Sequence, residues 1–284
     1  MPRILIAGCG YVGEAAADFF HDHGWEVKGW TASAKSADRL KAKPYQVCAR
    51  DITDASAMSG IREAFDVVLQ CVSTRGGDAG DYRKAYLEGA RNLLGIFAGP
   101  TTHLFTSSTS VYAQQQGERV DETSRANPSH EKGQILRETE DLVLARNGVV
   151  ARLAGIYGPG RSYLLRTILD GRGSVDLEHD RFLNLAHRDD IVSALFILAE
   201  RRGELGGQIY NVVDDQPIPA NSAVRWLASY LGKPVPEIES ASSGRRAVSN
   251  KRVSNEKLRG LGWEPEYPNF ERGMTRSVLP SFGQ

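Results

Sequence analysis

From Ile4 to Val213 short apolar runs alternate with longer amphipathic stretches. That alternation predicts strands and helices in turn, the pattern of a parallel sheet covered on both faces. The first run, Ile4-Leu5-Ile6-Ala7, is followed by a helical pattern over Glu14–His23 that Gly24 closes. Strands are expected at Glu26–Trp30, Gln46–Ala49, Asp66–Cys71, His103–Thr106, Val149–Leu153 and Gln208–Val213. Helices are expected at Lys35–Leu40, Asp81–Phe97, Glu131–Arg146, Tyr163–Leu169 and Asp189–Glu200. Residues 214–284 carry several prolines, one clear helix (Asn221–Leu231) and a basic, polar stretch at 240–257. The fold class is therefore α/β: a Rossmann-type doubly wound parallel sheet with a smaller C-terminal α+β substrate lobe. The expected division is 1–155 with 181–215 for the sheet domain, and 156–180 with 216–284 for the lobe. Gln114–Glu118 and Ser240–Gly244 read as mobile loops.

Chemistry enters at the first strand's end. Gly8-x-Gly10-x-x-Gly13, with Tyr11 and Val12 inside it, lies between a strand and a helix start. Gly8 permits a tight turn, Gly10 lets a pyrophosphate approach the backbone, and Gly13 lets helix and strand pack closely. The free N–H groups at the helix start would face the phosphates. Nucleotide binding follows from that context, not from the glycines alone.

Composition narrows the remaining classes. The 284 residues are 41% hydrophobic and 25% charged, with a formal net charge of zero. Such a chain can bury a sizeable core and has no global attraction to nucleic acid or anionic membrane. No apolar run is long enough to span a bilayer, and a strand starting by Arg3 or Ile4 leaves no secretory signal. Cys9, Cys48 and Cys71 are scattered and read as free thiols of a protein in a reducing cytoplasm. No Cys/His spacing suggests a metal site.

A set of anchors along the chain makes the reading more specific. Besides the glycine loop there are Asp51-Ile52-Thr53-Asp54, Gly89-Ala90-Arg91-Asn92-Leu93-Leu94, Ser107–Tyr112, Asp121-Glu122, Arg152–Arg161 and Asn211-Val212-Val213. With these the chain resembles the extended short-chain dehydrogenase/reductase superfamily, of the sugar-nucleotide epimerase and dehydratase type. Its Gly-x-Gly-x-x-Gly departs from that group's usual Gly-x-x-Gly-x-x-Gly and is similar to an atypical subgroup. The resemblance implies that Asp51 accepts a hydrogen bond from the adenine amino group, with Ile52 beside the ring. It also implies that Cys71, Val72 and Ser73 line the cofactor, and that Ala154 to Ile156 border the nicotinamide. A homodimer through the helices at 81–97 and 131–146 is a further implication.

An NAD-type fold places a carboxylate at the end of the second strand to hold the ribose 2′-OH. Here that end reads Trp30-Thr31-Ala32-Ser33-Ala34-Lys35. Ser33 and Lys35 are candidate ligands of a 2′-phosphate, so NADP is favoured slightly over NAD.

The resemblance also implies a Tyr-x-x-x-Lys pair on the helix after the fifth strand. Aligned on Gly133 and Glu140, the tyrosine position holds Lys132 and the lysine position holds Leu136. No Tyr occurs between Tyr112 and Tyr157. Ser108 matches the serine that polarises the substrate oxygen. Lys132, His130 and Tyr112 remain open as the proton-handling group. Arg161, and Arg246 within a basic cluster with Arg245, Lys251 and Arg252, are candidate contacts for an anionic substrate. Two functions stay in view: an NAD(P)-dependent oxidoreductase or epimerase acting on a small hydroxylated or carbonyl substrate, and a dinucleotide-binding sensor without redox turnover.

Overall fold

The computed structural model describes residues 1–56, 58, 60–74, 76–238 and 249–283. Seven strands form one sheet: β1 (Arg3–Ala7), β2 (Glu26–Thr31), β3 (Gln46–Ala49), β4 (Val67–Gln70), β5 (Thr102–Ser108), β6 (Val149–Leu153) and β7 (Ile209–Val212). Their order is β7-β6-β5-β4-β1-β2-β3. The pairings of β1 with β2 and β4, of β2 with β3 and of β4 with β5 are all parallel. The chain moves outward from β1 through β2 and β3, then returns to β4 on the other side. The sheet therefore reverses direction between β1 and β4, and the crevice beyond the strand ends there is where α/β sheets hold ligands.

The helices are α1 (Tyr11–Asp22), α2 (Ala34–Arg39), α3 (79–96), α4 (Glu131–Leu144) and α5 (Arg188–Glu200). The expected long helix is present as α3, but Arg83–Glu88 within it is wound as a π-helix. Gln70, buried at the end of β4, donates through Nε2 to the carbonyls of Ala85 and Tyr86 at 3.3 and 3.0 Å. A strand side chain thus satisfies backbone groups in the irregular turn, a long-range device that helical periodicity cannot report.

The chain divides into two compact units. The first holds Met1–Val111, Ala126–Arg152 and Ile191–Tyr210; the second holds Tyr112–Arg125, Leu153–Asp190 and Asn211–Gln284. The sequence reading put 112–125, 153–155, 181–190 and 211–215 with the sheet domain. Strand pairing explains the difference, because Glu118–Val120 pairs with Lys251–Val253 and Leu185–His187 pairs with Gly155–Tyr157. Gln114–Glu118, read as mobile, is tied down: Gly117 N–H donates to Asn250 O at 3.0 Å and Asn250 N–H to Gln114 O at 2.8 Å. Ser240–Gly244 lies outside the described residues.

Within the first unit a buried ion pair ties α4 to the sheet. Glu140 is 0% exposed and Arg152, on β6, is 2% exposed. Arg152 donates to Glu140 through Nε at 3.0 Å and Nη2 at 2.7 Å. Ser107 Oγ donates to the same carboxylate at 2.5 Å, and Arg137 reaches it from the preceding helical turn. The carboxylate's lone pairs are thereby used, which is the condition for a buried charge to be tolerated.

The second unit has its own core, in which Tyr157, Leu165, Ile168, Val224 and Leu227 meet Phe270, Met274, Val278 and Leu279. The last four lie on a helical run over 270–281 that the sequence reading missed among the prolines. Asn269 caps it by accepting from Arg272 N–H, and Phe270, Met274 and Val278 recur at four-residue spacing. Those two signals were present in the sequence. His187 is also buried in this unit, its ring 3.8 Å from that of Tyr267 and edge-on to Tyr157. Its Nδ1 accepts from Asp189 N–H at 3.2 Å, so Nε2 carries the proton toward Ser277 Oγ at 2.9 Å. Burial pushes this imidazole down to about 4, with the Asp189 carboxylate acting against the shift and the Arg188 charge with it.

Two expectations follow from these buried groups. Glu140→Ala strands Arg152, so unfolding by urea should show a loss of about 3–5 kcal/mol, and a paired Glu140→Leu/Arg152→Met change should recover much of it. For His187 the folded state favours the neutral ring. Its contribution is full above an unfolded value of about 6.5 and is lost as pH falls toward 4. Asp190 works in the opposite direction, since burial raises its carboxyl to about 6. The measurement is therefore the difference between wild type and His187→Gln. Wild type should lose stability relative to the variant as pH is lowered through that window, and a pH-independent difference would contradict the assignment.

Candidate functional site

The glycine loop is built by close approach. Gly8 has φ +111°, and a Cβ there would lie 2.7 Å from the backbone of Cys71 and Val72 at the end of β4. A Cβ on Gly13 would lie 2.1 Å from the carbonyl oxygen of Gly8. No side chain fits at either position, so α1 rests directly on the strand end. Gly10 is different: a Cβ there would meet nothing within 4 Å. It is the N-cap of α1, and no side chain caps that helix start. The loop thus excludes side chains on its inner face and keeps open space on its outer face, beside Tyr11 and Val12 at the start of the helix. A dinucleotide pyrophosphate needs that space next to uncapped N–H groups.

A cavity of about 400 Å³ adjoins the loop, entirely within the first unit. Its wall is formed by Gly8, by Trp30-Thr31-Ala32 at the end of β2, by Arg50 to Thr53 after β3, by Val72 to Thr74 after β4, and by Asp81, Lys84 and Ala85 on α3. Ile52 is held there by two groups of α3. Asn92 Nδ2 donates to Ile52 O at 2.8 Å, and Gly89 is needed because a Cβ would sit 2.6 Å from Ile52 Cδ1. The motif Gly89–Asn92 therefore acts on the cavity from behind. Asp51 Oδ1 accepts from Thr53 N–H at 2.9 Å, which closes the turn and orients the carboxylate at the cavity wall. Trp30 is 2% exposed, and its indole N–H has no partner among the described residues. Open space at Gly10 and the cavity beside it fit a nicotinamide dinucleotide.

Of the residues the sequence singled out for the cofactor, Gly8, Asp51, Ile52, Val72 and Ser73 line this cavity. Cys71 instead abuts Gly8 with its backbone, and burial raises its thiol to about 11. Burial likewise raises Cys9 to about 12, so both thiols are protonated at neutral pH and poor nucleophiles. Ser33 is the N-cap of α2: its hydroxyl accepts from Ser36 N–H at 3.3 Å and donates to Ser36 Oγ at 3.0 Å. Lys35 is exposed on α2 and outside the cavity wall. Ala154 and Ile156 belong to the second unit, where Ala154 N–H donates to Val212 O at 3.0 Å. Arg50 and Lys84, which the sequence reading did not name, contribute positive charge to the wall. The signal for Arg50 lies in β3 pairing next to β2, which spacing along the chain does not display, and Lys84 reaches the wall from α3.

The candidate catalytic residues separate by environment. Ser108 ends β5, and its Oγ accepts from Ser110 N–H at 3.1 Å. Lys132 is half-buried on α4; its Nζ donates to Gly77 O at 2.5 Å and stands 5.0 Å over the Tyr82 ring. Leu136 is buried on the same helix. His130 is the N-cap of α4, its Nδ1 accepting from Gly133 N–H at 2.9 Å. Tyr112 is fully buried in the second unit, where its hydroxyl donates to Asn211 Oδ1 at 2.9 Å. Burial pushes the Tyr86 phenol on α3 up to about 12, with the Tyr82 phenol adding to the shift and a Ser73 hydrogen bond opposing it.

In the second unit Arg161 is exposed and closes the Gly158–Arg161 turn through backbone hydrogen bonds in both directions. Arg246 and Arg245 lie outside the described residues. Lys251 is buried, donating to Tyr112 O at 3.0 Å and Ser249 Oγ at 2.7 Å, and burial pushes its amine down to about 8. Asp190 accepts from the N–H groups of Glu266 and Tyr267 at 2.7 and 3.1 Å, an orienting role. Among the described residues no group of His, Cys, Asp and Glu is arranged to hold a metal, and no helix is long and apolar enough to cross a membrane.

Comparison with known proteins agrees with this geometry. Protein YeeZ of Escherichia coli (strain K12) is 30% identical over 286 residues, covering 95% of this chain and 97% of that protein. A Methylobacillus flagellatus structure described as an NAD-dependent epimerase/dehydratase superposes with a TM-score of 0.80 at 27% identity, covering 100% of this chain and 99% of that one. The dTDP-glucose 4,6-dehydratase of Bacillus anthracis str. Ames, solved in complex with NAD, shares the fold with a TM-score of 0.82 at 15% identity, covering 100% and 97% of the two chains. Residues 4–212 match the model of the NAD dependent epimerase/dehydratase family, and the chain belongs to that family.

Proposed function

We propose that this protein is a nicotinamide-dinucleotide-dependent oxidoreductase or epimerase that acts on a small substrate bearing a hydroxyl or carbonyl group. One observation carries the reading: at the point where the sheet reverses, the loop excludes side chains at Gly8 and Gly13 and keeps space open at Gly10 beside an uncapped helix start. A nicotinamide dinucleotide, when bound, supplies hydride exchange with such a substrate. Gly10 to Gly13 would hold its pyrophosphate and the cavity wall from Trp30 to Lys84 its adenosine. The wall at the end of β2 carries no carboxylate, which favours NADP over NAD.

Ser108 sits at the end of β5, where strand ends in this fold class present catalytic groups. Its hydroxyl is suited to donate a hydrogen bond to the substrate oxygen and stabilise charge there. Of the three candidates, Lys132 is the one we assign to exchange of the substrate proton, because its polar end is bonded next to the segment that lines the cavity. Its ammonium already bonds Gly77 O, three residues beyond Thr74 in the cavity wall. His130 and Tyr112 are committed to a helix cap and to Asn211. That commitment also supports a second reading, a dinucleotide-binding sensor without turnover.

Two experiments divide these readings. Calorimetric titration with NAD, NADH, NADP and NADPH should detect binding of at least one pair. Gly10→Ala, whose methyl occupies open space, should leave the melting temperature nearly unchanged and weaken that binding tenfold or more, about 1.4 kcal/mol. Unaltered affinity in the variant would remove the pyrophosphate assignment. Turnover can then be sought in a spectrophotometric screen of hydroxylated and carbonyl compounds. Ser108→Ala and Lys132→Met should each lower the rate by roughly 10²–10³ without changing dinucleotide affinity. Binding with no turnover across the screen would favour the sensor.

A further inference from the structure

The 2′-position of the adenosine ribose is read at the end of β2 in dinucleotide-binding sheets. The structure shows which charged group stands there. Ser33 is occupied as the cap of α2, and Lys35 lies outside the cavity. Thr31 Oγ1 is turned to Ser33 O at 3.1 Å, and Ala32 has no polar side chain. The neighbouring strand supplies what β2 lacks. Arg50 follows β3 directly, its N–H donates to Thr31 O at 2.6 Å, and the residue lines the cavity. The guanidinium lies over the Trp30 ring, 5.4 Å from its centroid.

This placement has a chemical consequence. An arginine stacked on an indole keeps its planar fork oriented and loses little further freedom when it binds an anion. A guanidinium can grip a phosphate with two parallel hydrogen bonds, which a ribose hydroxyl cannot exploit. Of the carboxylates in the same wall, Asp51 accepts from Thr53 N–H and Asp81 from Asp78 N–H. Neither stands on the β2 segment where an acid would hold a ribose hydroxyl and repel a 2′-phosphate.

We infer that Arg50, stacked on Trp30, is the specificity-determining residue of the cavity and selects a dinucleotide phosphorylated at the adenosine 2′-position. The inference rests on the reading of the cavity as the dinucleotide site. Selection comes from the residue after β3 rather than from Ser33 and Lys35.

The test is calorimetric titration of wild type, Arg50→Met, Arg50→Lys and Lys35→Met with NADPH, NADH, 2′,5′-ADP and 5′-AMP. Wild type should bind NADPH over NADH, and 2′,5′-ADP over 5′-AMP, by tenfold or more. Arg50→Met keeps an apolar stem against Trp30; it should lose at least tenfold in affinity for NADPH and 2′,5′-ADP, and less than threefold for NADH and 5′-AMP. Arg50→Lys should retain part of the preference and Lys35→Met all of it. Equal loss toward both dinucleotides in Arg50→Met, with an unchanged melting temperature, would make Arg50 an adenine-stacking residue and overturn the inference alone. So would a wild type that binds NADH as well as NADPH. A wild type that binds none of the four compounds would overturn the dinucleotide reading and this inference with it.

Discussion

The contact between α1 and the end of β1 is the constraint on which the site depends. With a hypothetical Gly13 Cβ only 2.1 Å from Gly8 O, helix and strand touch through backbone. Gly8 is in turn pressed against the backbone that leaves β4. Three segments are thereby fixed relative to one another without a side chain between them. The cavity opens beside this junction because β2 and β3 continue the sheet on one side while α3 closes it on the other. Burial of Leu5, Trp30, Ile52, Val68 and Leu93 in one cluster holds those walls together. The ligand space is thus the unfilled remainder of a packed core, and its shape follows from the close approach at the glycines.

A second fixed point lies at the end of β5. Glu140 is buried where it can accept from both Arg152 and Ser107, so α4, β5 and β6 share one carboxylate. Ser108 is the next residue after Ser107, and Lys132 lies two helical turns before Glu140. The groups proposed for chemistry are therefore carried by elements that a charged network holds in register. Such a network adds little net stability compared with apolar packing, but an incorrect register would strand a buried charge.

Much of the architecture was legible because strands and helices announce themselves through local periodicity. Tyr163–Leu169 and Gln46–Ala49 have the bounds the pattern predicts. The glycine loop was legible because its requirement is steric and local. What escaped depends on residues distant in sequence. The π-turn of α3 needs Gln70, and the assignment of 112–125 to the second unit needs the strand at Lys251–Val253. The charge at the β2 end was sought along β2, at Ser33 and Lys35, whereas the sheet delivers it from β3 as Arg50. In a parallel sheet the residues that share a site come from successive strand ends, so a search along one strand sees only a part of the site. The helix over 270–281 was missed for another reason: proline-rich surroundings outweighed a cap at Asn269 and a regular apolar spacing that were both present.

Burial along one face of α4 bears on which side chains positions 132 and 136 tolerate. Lys132 and Leu136 are one helical turn apart, and their environments differ: the first is half-buried against Gly77 O and Tyr82, the second is buried. A lysine at 136 would bring an ammonium into a buried position one turn from Glu140, whose carboxylate already serves Arg152, Arg137 and Ser107, at a cost of several kcal/mol. A tyrosine at 132 would lose the bond to Gly77 O and gain a phenol with no lysine to lower its pKa. Each single change is unfavourable alone, and only the two together would rebuild the pair, so the positions are energetically coupled. The pairing present avoids that coupling: Leu136 stays in the core and the charge of Lys132 lies at the half-buried end of the same face, where the proposed proton exchange would need no change at 136.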